Sequence, residues 1–212
     1  MKAIEKNVAE RLLKIKAVKL QPNNPFVWAS GWKSPIYCDN RKTLSYPTIR
    51  TYIKNALVRT ILDLYPNAEV IAGVATGAIA QGALVADELG LPFIYVRSSP
   101  KDHGLENLIE GDLRPKQKVV VIEDLISTGG SSLKAVDAIR KDGSEVLGMV
   151  AIFTYGFSTA EEKFKNAKVK LTALSNYDAV LTEALATNYI LENDLETLRE
   201  WRKNPSAWKK DQ

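Results

Sequence analysis

The chain has 212 residues, of which 45% are hydrophobic and 25% charged, the proportions of an ordinary globular protein with a buried core. Its net charge of +4 comes from 29 basic and 25 acidic residues that are interspersed, which argues against a nucleic-acid binder. One cysteine, Cys38, excludes an intrachain disulfide and a cysteine metal cluster. No apolar run approaches the roughly 18 residues of a membrane span, and the charged N-terminus lacks a signal peptide's apolar region. We therefore expect a cytoplasmic protein with no membrane partner.

The first 65 residues predict two helices separated by an irregular segment. Residues 2–16 carry apolar side chains at helical spacing, and residues 46–65 carry a similar stripe. Between them, residues 17–45 are rich in Pro, Asn, Ser and aromatic residues, which favours short strands joined by turns. We expect a single domain over residues 1–212, in which 1–46 form an N-terminal helix and a small hood and 47–212 form the core.

The rest of the chain alternates between β-branched runs and amphipathic segments. Strands are predicted over 69–75, 92–98, 118–124, 145–153 and 169–175, and helices over 78–90, 131–143, 158–167, 177–190 and 193–205. This alternation predicts an α/β fold whose doubly wound, mostly parallel sheet has about five strands flanked by helices. Ligands bind such sheets at the carboxyl ends of the strands, so the loops after residues 75, 98 and 124 should face one crevice.

The loop after residue 124 carries the most informative pattern. Glu123 and Asp124 follow four apolar residues, and their side chains should point to opposite sides of the strand. Hydroxyls and glycines come next and lead into a helix, an arrangement that suits a phosphate. Carboxylates that accept hydrogen bonds from a diol, next to a loop that binds phosphate, predict a site for a ribose 5-phosphate. Neither a P-loop nor a Rossmann glycine motif occurs in the chain.

The stretch "VVVIEDLISTGGS" resembles the ribose-phosphate signature of the type I phosphoribosyltransferases. This resemblance implies the fold of that family and the substrate phosphoribosyl pyrophosphate (PRPP). "VATGAIA", residues 74–80, similarly resembles the pyrophosphate loop of the family. The positions that the resemblance assigns to PRPP binding are Thr76, Gly77, Glu123, Asp124, Leu125, Ile126, Ser127, Thr128, Gly129, Gly130 and Ser131.

Two further stretches resemble the orotate phosphoribosyltransferases: "SPIYCDNR" at residues 34–41 and the polar loop at 95–111. The loop carries Arg97, Lys101 and His103, which could stabilise the negative charge that builds on a departing pyrophosphate. We expect these three side chains to be catalytic and to bind PRPP, with Lys101 contributing most. The resemblance also implies a homodimer with shared active sites, because this loop reaches the neighbouring subunit's site in the family.

Several positions depart from the family pattern. Thr76-Gly77, Ser98 and Ala29 replace residues that are often Tyr-Lys, Lys and Lys, and "FTYG" at 153–156 lacks an arginine that contacts orotate in relatives. Ser127 remains as the predicted orotate contact. Lys33 and Arg41 could replace the missing cation, or they could be ordinary surface charges.

No dedicated set of metal ligands is evident in the sequence, so Mg²⁺ is expected to bind mainly through PRPP and water rather than in a protein cage. The predicted reaction joins orotate to PRPP and gives orotidine 5′-phosphate and pyrophosphate. A purine-type phosphoribosyltransferase or a PRPP-binding regulator are the alternatives.

Overall fold

The computed structural model describes residues 2–28, 30–99 and 108–208. The helices are α1 (Lys2–Lys14), α2 (Pro47–Leu64), α3 (Ile79–Leu89), α4 (Gly130–Lys141), α5 (Ser158–Asn166), α6 (Tyr177–Ala186) and α7 (Asp194–Lys203). The strands are β1 (Val18–Leu20), β2 (Phe26–Val27), β3 (Lys33–Ser34), β4 (Ile36–Cys38), β5 (Val70–Val74), β6 (Phe93–Val96), β7 (Ile109–Glu110), β8 (Lys118–Ile126), β9 (Glu145–Thr154) and β10 (Leu171–Asn176). In the described part of the chain, no helix is both long and apolar enough to cross a membrane.

The central sheet has six strands in the order β10-β9-β8-β5-β6-β7. The first five are mutually parallel and correspond to the five predicted strands, so the doubly wound α/β prediction is confirmed. The sixth, β7, pairs antiparallel with β6 and lies in a stretch that the sequence predicts as a polar connection. Its two residues are too few for a period-two pattern to reveal them, which explains the difference in strand number.

Helices cover both faces of the sheet and divide the apolar core into two clusters. Val120 and Ile122 of β8 point to the face covered by α1, α2, α3, α6 and α7. Val119 and Val121 point to the other face, which α4 and α5 cover. All four side chains are fully buried, so the first half of β8 is a continuous apolar run, as is typical of a central strand in a parallel sheet.

The segment before α2 forms a small layer over the carboxyl end of β8. It contains two antiparallel pairs, β1 with β4 and β2 with β3, followed by a 3-10 helix at Asn40–Ser45. Asn40 is buried and its Nδ2 donates to the carbonyl oxygen of Asp124 at 2.6 Å. The layer is therefore fixed directly to the strand that carries the acidic pair, whereas α1 packs mainly on α6 and β10.

Candidate active site

The acidic pair lies inside β8 rather than at its end. The sequence predicts a strand over 118–124, but β8 continues to pair with β9 through Ile126, opposite Thr154. Leu125 and Ile126 are apolar and extend the strand, so the two acids sit two residues before its carboxyl terminus. Their side chains point to opposite faces, as the alternation of a strand requires: Glu123 faces α4 and Asp124 faces α3.

Glu123 is almost completely buried, with an exposed fraction of 5%. Its Oε2 accepts a hydrogen bond from Ser132 Oγ of α4 at 2.7 Å, and its Oε1 accepts from the backbone N–H of Asp124 at 3.0 Å. Burial raises the pKa of Glu123 to about 8, against the lowering effect of the Ser132 hydrogen bond. Near neutral pH its carboxyl group is therefore largely protonated in the folded protein.

Asp124 is half-buried and lies against the loop between β5 and α3. A methyl group built on Gly77 would overlap its carboxylate, so only glycine allows this close approach. Burial raises the pKa of Asp124, and the positive charge of Arg41 opposes that shift. The predicted ribose ligand Asp124, the predicted pyrophosphate loop and a cation of the hood are thus brought together.

The predicted phosphate loop connects β8 to α4. Gly129 has a left-handed backbone with φ of 74°, and α4 begins at Gly130. A Cβ on Gly129 would come within 2.8 Å of the Phe164 ring, so both backbone and space require glycine there. Within the described residues, no side chain caps the N-terminus of α4. Its first amide N–H groups can therefore bind an anion, with help from the helix dipole.

The other motif positions differ in how their side chains are placed. Ser127 and Thr128 lie in the phosphate loop and are half-buried. Ser131, in the first turn of α4, is exposed. Leu125 lines a cavity described below. Ile126 is fully buried on the α4 side, and its carbonyl oxygen accepts from the Tyr155 N–H. The PRPP assignments of Leu125 and Ile126 therefore stay predictions that concern the backbone more than the side chains.

The loop that follows β5 carries Thr76 and Gly77. Thr76 is exposed at the carboxyl end of the strand, and the peptide bond between Ala75 and Thr76 is cis. Arg97 follows β6, and its Nη1 lies 3.5 Å from Glu110 Oε1 of β7. Lys101 and His103, the other two predicted catalytic cations, lie outside the described residues.

A cavity of about 250 Å³ opens beside the acidic strand, and sequence reasoning missed most of its lining. It is lined by Val27, Trp28, Tyr37, Cys38, Leu125, Ser127 and Tyr155. The Trp28 and Tyr155 rings are in contact, with centroids 5.2 Å apart. Ser127, the predicted orotate contact, is one of the polar groups in this wall, which also carries three aromatic rings. The cavity suits a flat, conjugated ring with polar edges.

The abundance of aromatic residues in 26–37 was a signal for this cavity, because apolar rings in a hood over a ligand crevice need something to cover. Tyr155 carries no comparable signal, because a single tyrosine after a strand is as compatible with an ordinary core position as with a cavity wall. The structure assembles the cavity from segments more than 100 residues apart.

Of the two candidate cations, Arg41 lies near the acidic strand and Lys33 lines a different cavity. Arg41 Nε donates to Asp39 Oδ1 at 2.8 Å, and its charge acts on Asp124. Lys33 borders a cavity formed with Trp32 and Trp208. The geometry thus favours Arg41 over Lys33 as a partner for an anionic group beside the aromatic cavity.

The arrangement can hold three chemical groups side by side. The start of α4 can bind a phosphate, Asp124 can accept hydrogen bonds from a diol, and the aromatic cavity can hold a planar ring. Thr76, Gly77 and Arg97 follow β5 and β6, so they lie at the same edge of the sheet as the end of β8. The crevice therefore fits a phosphorylated sugar positioned next to a heterocycle.

Comparison with known proteins supports this reading. The family model "Phosphoribosyl transferase domain" matches residues 46–184. An orotate phosphoribosyltransferase of Bacteroides thetaiotaomicron is 69% identical over 98% of both chains. One of Porphyromonas gingivalis is 67% identical over 98% of this chain and 99% of its own.

Solved structures of related enzymes have the same fold. Leishmania donovani UMP synthase superposes with a TM-score of 0.77 at 25% identity, covering 93% of this chain and 42% of its own. The orotate phosphoribosyltransferase of Aeropyrum pernix gives a TM-score of 0.70 at 29% identity, covering 83% of this chain and 98% of its own. The chain therefore belongs to the phosphoribosyltransferase family and, by its full-length relatives, to the orotate phosphoribosyltransferases.

Proposed function

We propose that the protein transfers the 5-phosphoribosyl group from PRPP to orotate and so forms orotidine 5′-phosphate in pyrimidine biosynthesis. The observation that carries the proposal is the aromatic cavity, which opens beside the acidic strand and shares Ser127 with the phosphate loop. A pyrimidine in the cavity and a ribose phosphate in the loop would be neighbours, as the transfer requires. Orotate phosphoribosyltransferase is also the name of relatives 67–69% identical to this chain.

In the proposed reaction, N1 of orotate forms a bond to ribose C1 while the bond from C1 to the pyrophosphate oxygen breaks. The electron pair of that bond leaves with the pyrophosphate, and the N1 proton passes to solvent. Asp124 and Glu123 hold the ribose hydroxyls, and the loop from Ser127 to Ser131 binds the 5′-phosphate through N–H groups and hydroxyls. Arg97, Lys101 and His103 stabilise the charge that develops on the leaving group.

Orotate carries a carboxylate, and Arg41 is the proposed partner for it. The guanidinium already pairs with Asp39 through Nε, and the Nη atoms of an arginine remain able to form a second charge-assisted pair. The rings of Tyr37, Trp28 and Tyr155 enclose the pyrimidine, and Ser127 contacts its polar edge. Burial raises the pKa of the Tyr155 hydroxyl, so this wall of the cavity stays uncharged.

Mg²⁺ is the proposed cofactor, and the donors present fit it. Among the described residues, no group of three or more His, Cys, Asp or Glu side chains could hold a metal ion. Mg²⁺ commonly binds through substrate phosphates, waters and one or two carboxylates, and Asp124 supplies a half-buried carboxylate at the crevice. When bound, the ion would neutralise charge on the pyrophosphate.

We further propose a homodimer in the cytoplasm. The single cysteine suits a reducing compartment. If Lys101 acts in the site of the second subunit, mixing Lys101→Ala protein with Asp124→Asn protein will restore activity, because each mixed dimer holds one intact site. At a PRPP concentration well below the wild-type KM, where both parent variants are weak, a random mixture should recover about a quarter of wild-type activity, given that half of the dimers are mixed. Activity no higher than the mean of the two parent variants would contradict a shared site.

The function itself is tested by pyrophosphate release with PRPP and Mg²⁺ in the presence of orotate, hypoxanthine, xanthine or adenine. We expect pyrophosphate release with orotate and none with the three purines. Release with a purine and not with orotate would favour a purine-type transferase. If the protein binds PRPP but releases no pyrophosphate in the presence of any of the four bases, a PRPP-binding regulator would be favoured instead.

A further inference from the structure

Trp201 of the C-terminal helix α7 lies at the centre of an aromatic cluster next to the aromatic cavity. It is fully buried, and four rings surround it: Trp28 at 5.6 Å, Tyr155 at 5.6 Å, Phe157 at 5.4 Å and Tyr177 at 5.5 Å between centroids. All four distances fall in the range of attractive ring pairs. One side chain therefore connects α7 to two walls of the cavity, Trp28 and Tyr155.

The contacts with those two walls have a definite geometry. Trp28 and Tyr155 both meet the Trp201 ring edge to face, with interplanar angles of 82° and 81°. Trp28 is also held by a hydrogen bond from its Nε1 to the carbonyl oxygen of Ile36 at 3.2 Å, and by the Trp32 ring, which stacks on it with centroids 6.4 Å apart. That bond fixes one edge of the indole but not its tilt. The Trp201 ring supports the indole from the side of α7, and it differs from the Trp32 ring in that it also contacts Tyr155.

The hydrogen-bonding capacity of Trp201 does not explain its burial. Within the described residues, its Nε1 has no hydrogen-bond partner. A buried donor without a partner is unfavourable, so the shape of the ring must outweigh that cost. A substitution that keeps an aromatic ring should therefore preserve most of the contribution of this residue.

Helix α7 has separate contacts that dock it. Tyr177 Oη donates to the carbonyl oxygen of Leu198 at 3.0 Å, and Arg202 Nη1 pairs with Asp178 Oδ2 at 2.6 Å. Neither contact involves a residue of the cavity wall. Docking of the helix and support of the cavity can therefore be separated by mutation.

We propose that Trp201 is a positioning residue for the base site, which holds Trp28 and Tyr155 at the separation that a pyrimidine ring needs. This inference rests on the proposed function and names the structural element that sets affinity for its base. The phosphate loop and the acidic strand make no ring contact with Trp201. Replacement of Trp201 should therefore weaken the binding of orotate and leave the binding of PRPP unchanged.

The test is steady-state kinetics of Trp201→Leu and Trp201→Phe, with the KM of each substrate measured at saturation of the other. We expect Trp201→Leu to raise the KM for orotate about tenfold, since the cavity wall loses its support, while the KM for PRPP stays within twofold. Trp201→Phe retains a ring and should raise the KM for orotate by about threefold. The matched control is Tyr65→Leu.

Tyr65 is buried in the same apolar cluster, but it packs beside Gly148, which pairs with Val120 near the opposite end of β8. Its replacement should lower the melting temperature and leave both KM values within twofold of wild type. Equal increases in the two KM values of the Trp201 variants, or an unchanged KM for orotate, would overturn the positioning role.

If Trp201→Leu does not fold, the decision rests on Trp201→Phe, for which an unchanged KM for orotate overturns the proposal. A wild-type protein that releases no pyrophosphate with orotate overturns the proposed function, and the positioning role with it. The two failures are thus distinguishable by the wild-type assay alone.

Discussion

The two halves of the candidate site are built in different ways. The ribose-phosphate half comes from one continuous segment, residues 123–131, in which strand, loop and helix start follow each other directly. The base half comes from three separate places: the hood at 27–38, the end of β8, and Tyr155 after β9. A fourth place, α7, supports it from behind through Trp201.

This difference separates what is common to a family from what selects a substrate. A continuous segment fixes its own geometry through local backbone conformation, as the left-handed Gly129 before α4 shows. A cavity assembled from distant segments changes when any one of them changes. The phosphate half should therefore respond to single substitutions with large losses of rate or PRPP affinity, and the base half with smaller, orotate-specific effects.

The largest expected effect lies on the pyrophosphate side. We expect Lys101→Ala to lower kcat by about 100-fold, the scale of losing one preorganised donor to the leaving group. Lys6→Ala, on the exposed face of α1, is the control and should leave kcat unchanged. Steady-state kinetics with a decrease of less than fivefold for Lys101→Ala would remove this residue from the proposed mechanism.

The second effect concerns the diol. Asp124→Asn keeps the size of the side chain but loses the charge, so PRPP should bind about tenfold more weakly, the scale of a hydrogen bond to a charged group. Asp137→Asn, on the exposed side of α4, should bind PRPP like the wild type. Isothermal titration calorimetry that gives the same affinity for Asp124→Asn and Asp137→Asn would contradict the diol assignment.

The same contrast determines how much could be predicted from the sequence. Local periodicity was enough for all seven helices of the described residues and for the five parallel strands. The position of Glu123 and Asp124 on opposite faces also followed from strand geometry. The two-residue β7 and the continuation of β8 to Ile126 could not be predicted, because pairing with β6 and β9 decides them.

The base half was less accessible to sequence reasoning for the same reason. Nothing in the neighbourhood of Tyr155 indicates that Trp28 and Trp201 will pack against it, because those contacts join segments far apart in the chain. The hydrogen bond from Asn40 to the Asp124 carbonyl oxygen, which fixes the hood to β8, is likewise a long-range contact. Lys101 and His103 were predicted from sequence, and their roles remain predictions.

A smaller effect tests the base half against its neighbour. We expect Arg41→Ala to raise the KM for orotate about fivefold, since an exposed charge pair contributes on the order of 1 kcal/mol. The KM for PRPP should change less, because Arg41 acts on Asp124 only through its field. Lys33→Ala is the matched control, because its cavity is a different one. Equal KM values for orotate in the two variants would remove Arg41 as the carboxylate partner.

The last prediction concerns the stability of the fold and the protonation of Glu123. Glu123 has a pKa of about 8 in the folded protein and about 4.5 when unfolded, so the folded state retains a proton that the unfolded chain has lost. Its contribution to the free energy of unfolding is fully present below about pH 4.5 and is lost as the pH rises through 8. The slope for one proton is at most about 1.4 kcal/mol per pH unit.

Urea denaturation of the wild type and of Glu123→Gln at pH 5, 6, 7 and 8 measures this contribution. The glutamine variant cannot ionise, so the difference between the two proteins removes the other titrating groups. We expect the wild type to lose stability relative to Glu123→Gln across this range, because the unfolded chain releases the Glu123 proton while the buried carboxyl group retains it. Parallel curves would mean that burial does not raise the pKa of Glu123 in the folded protein.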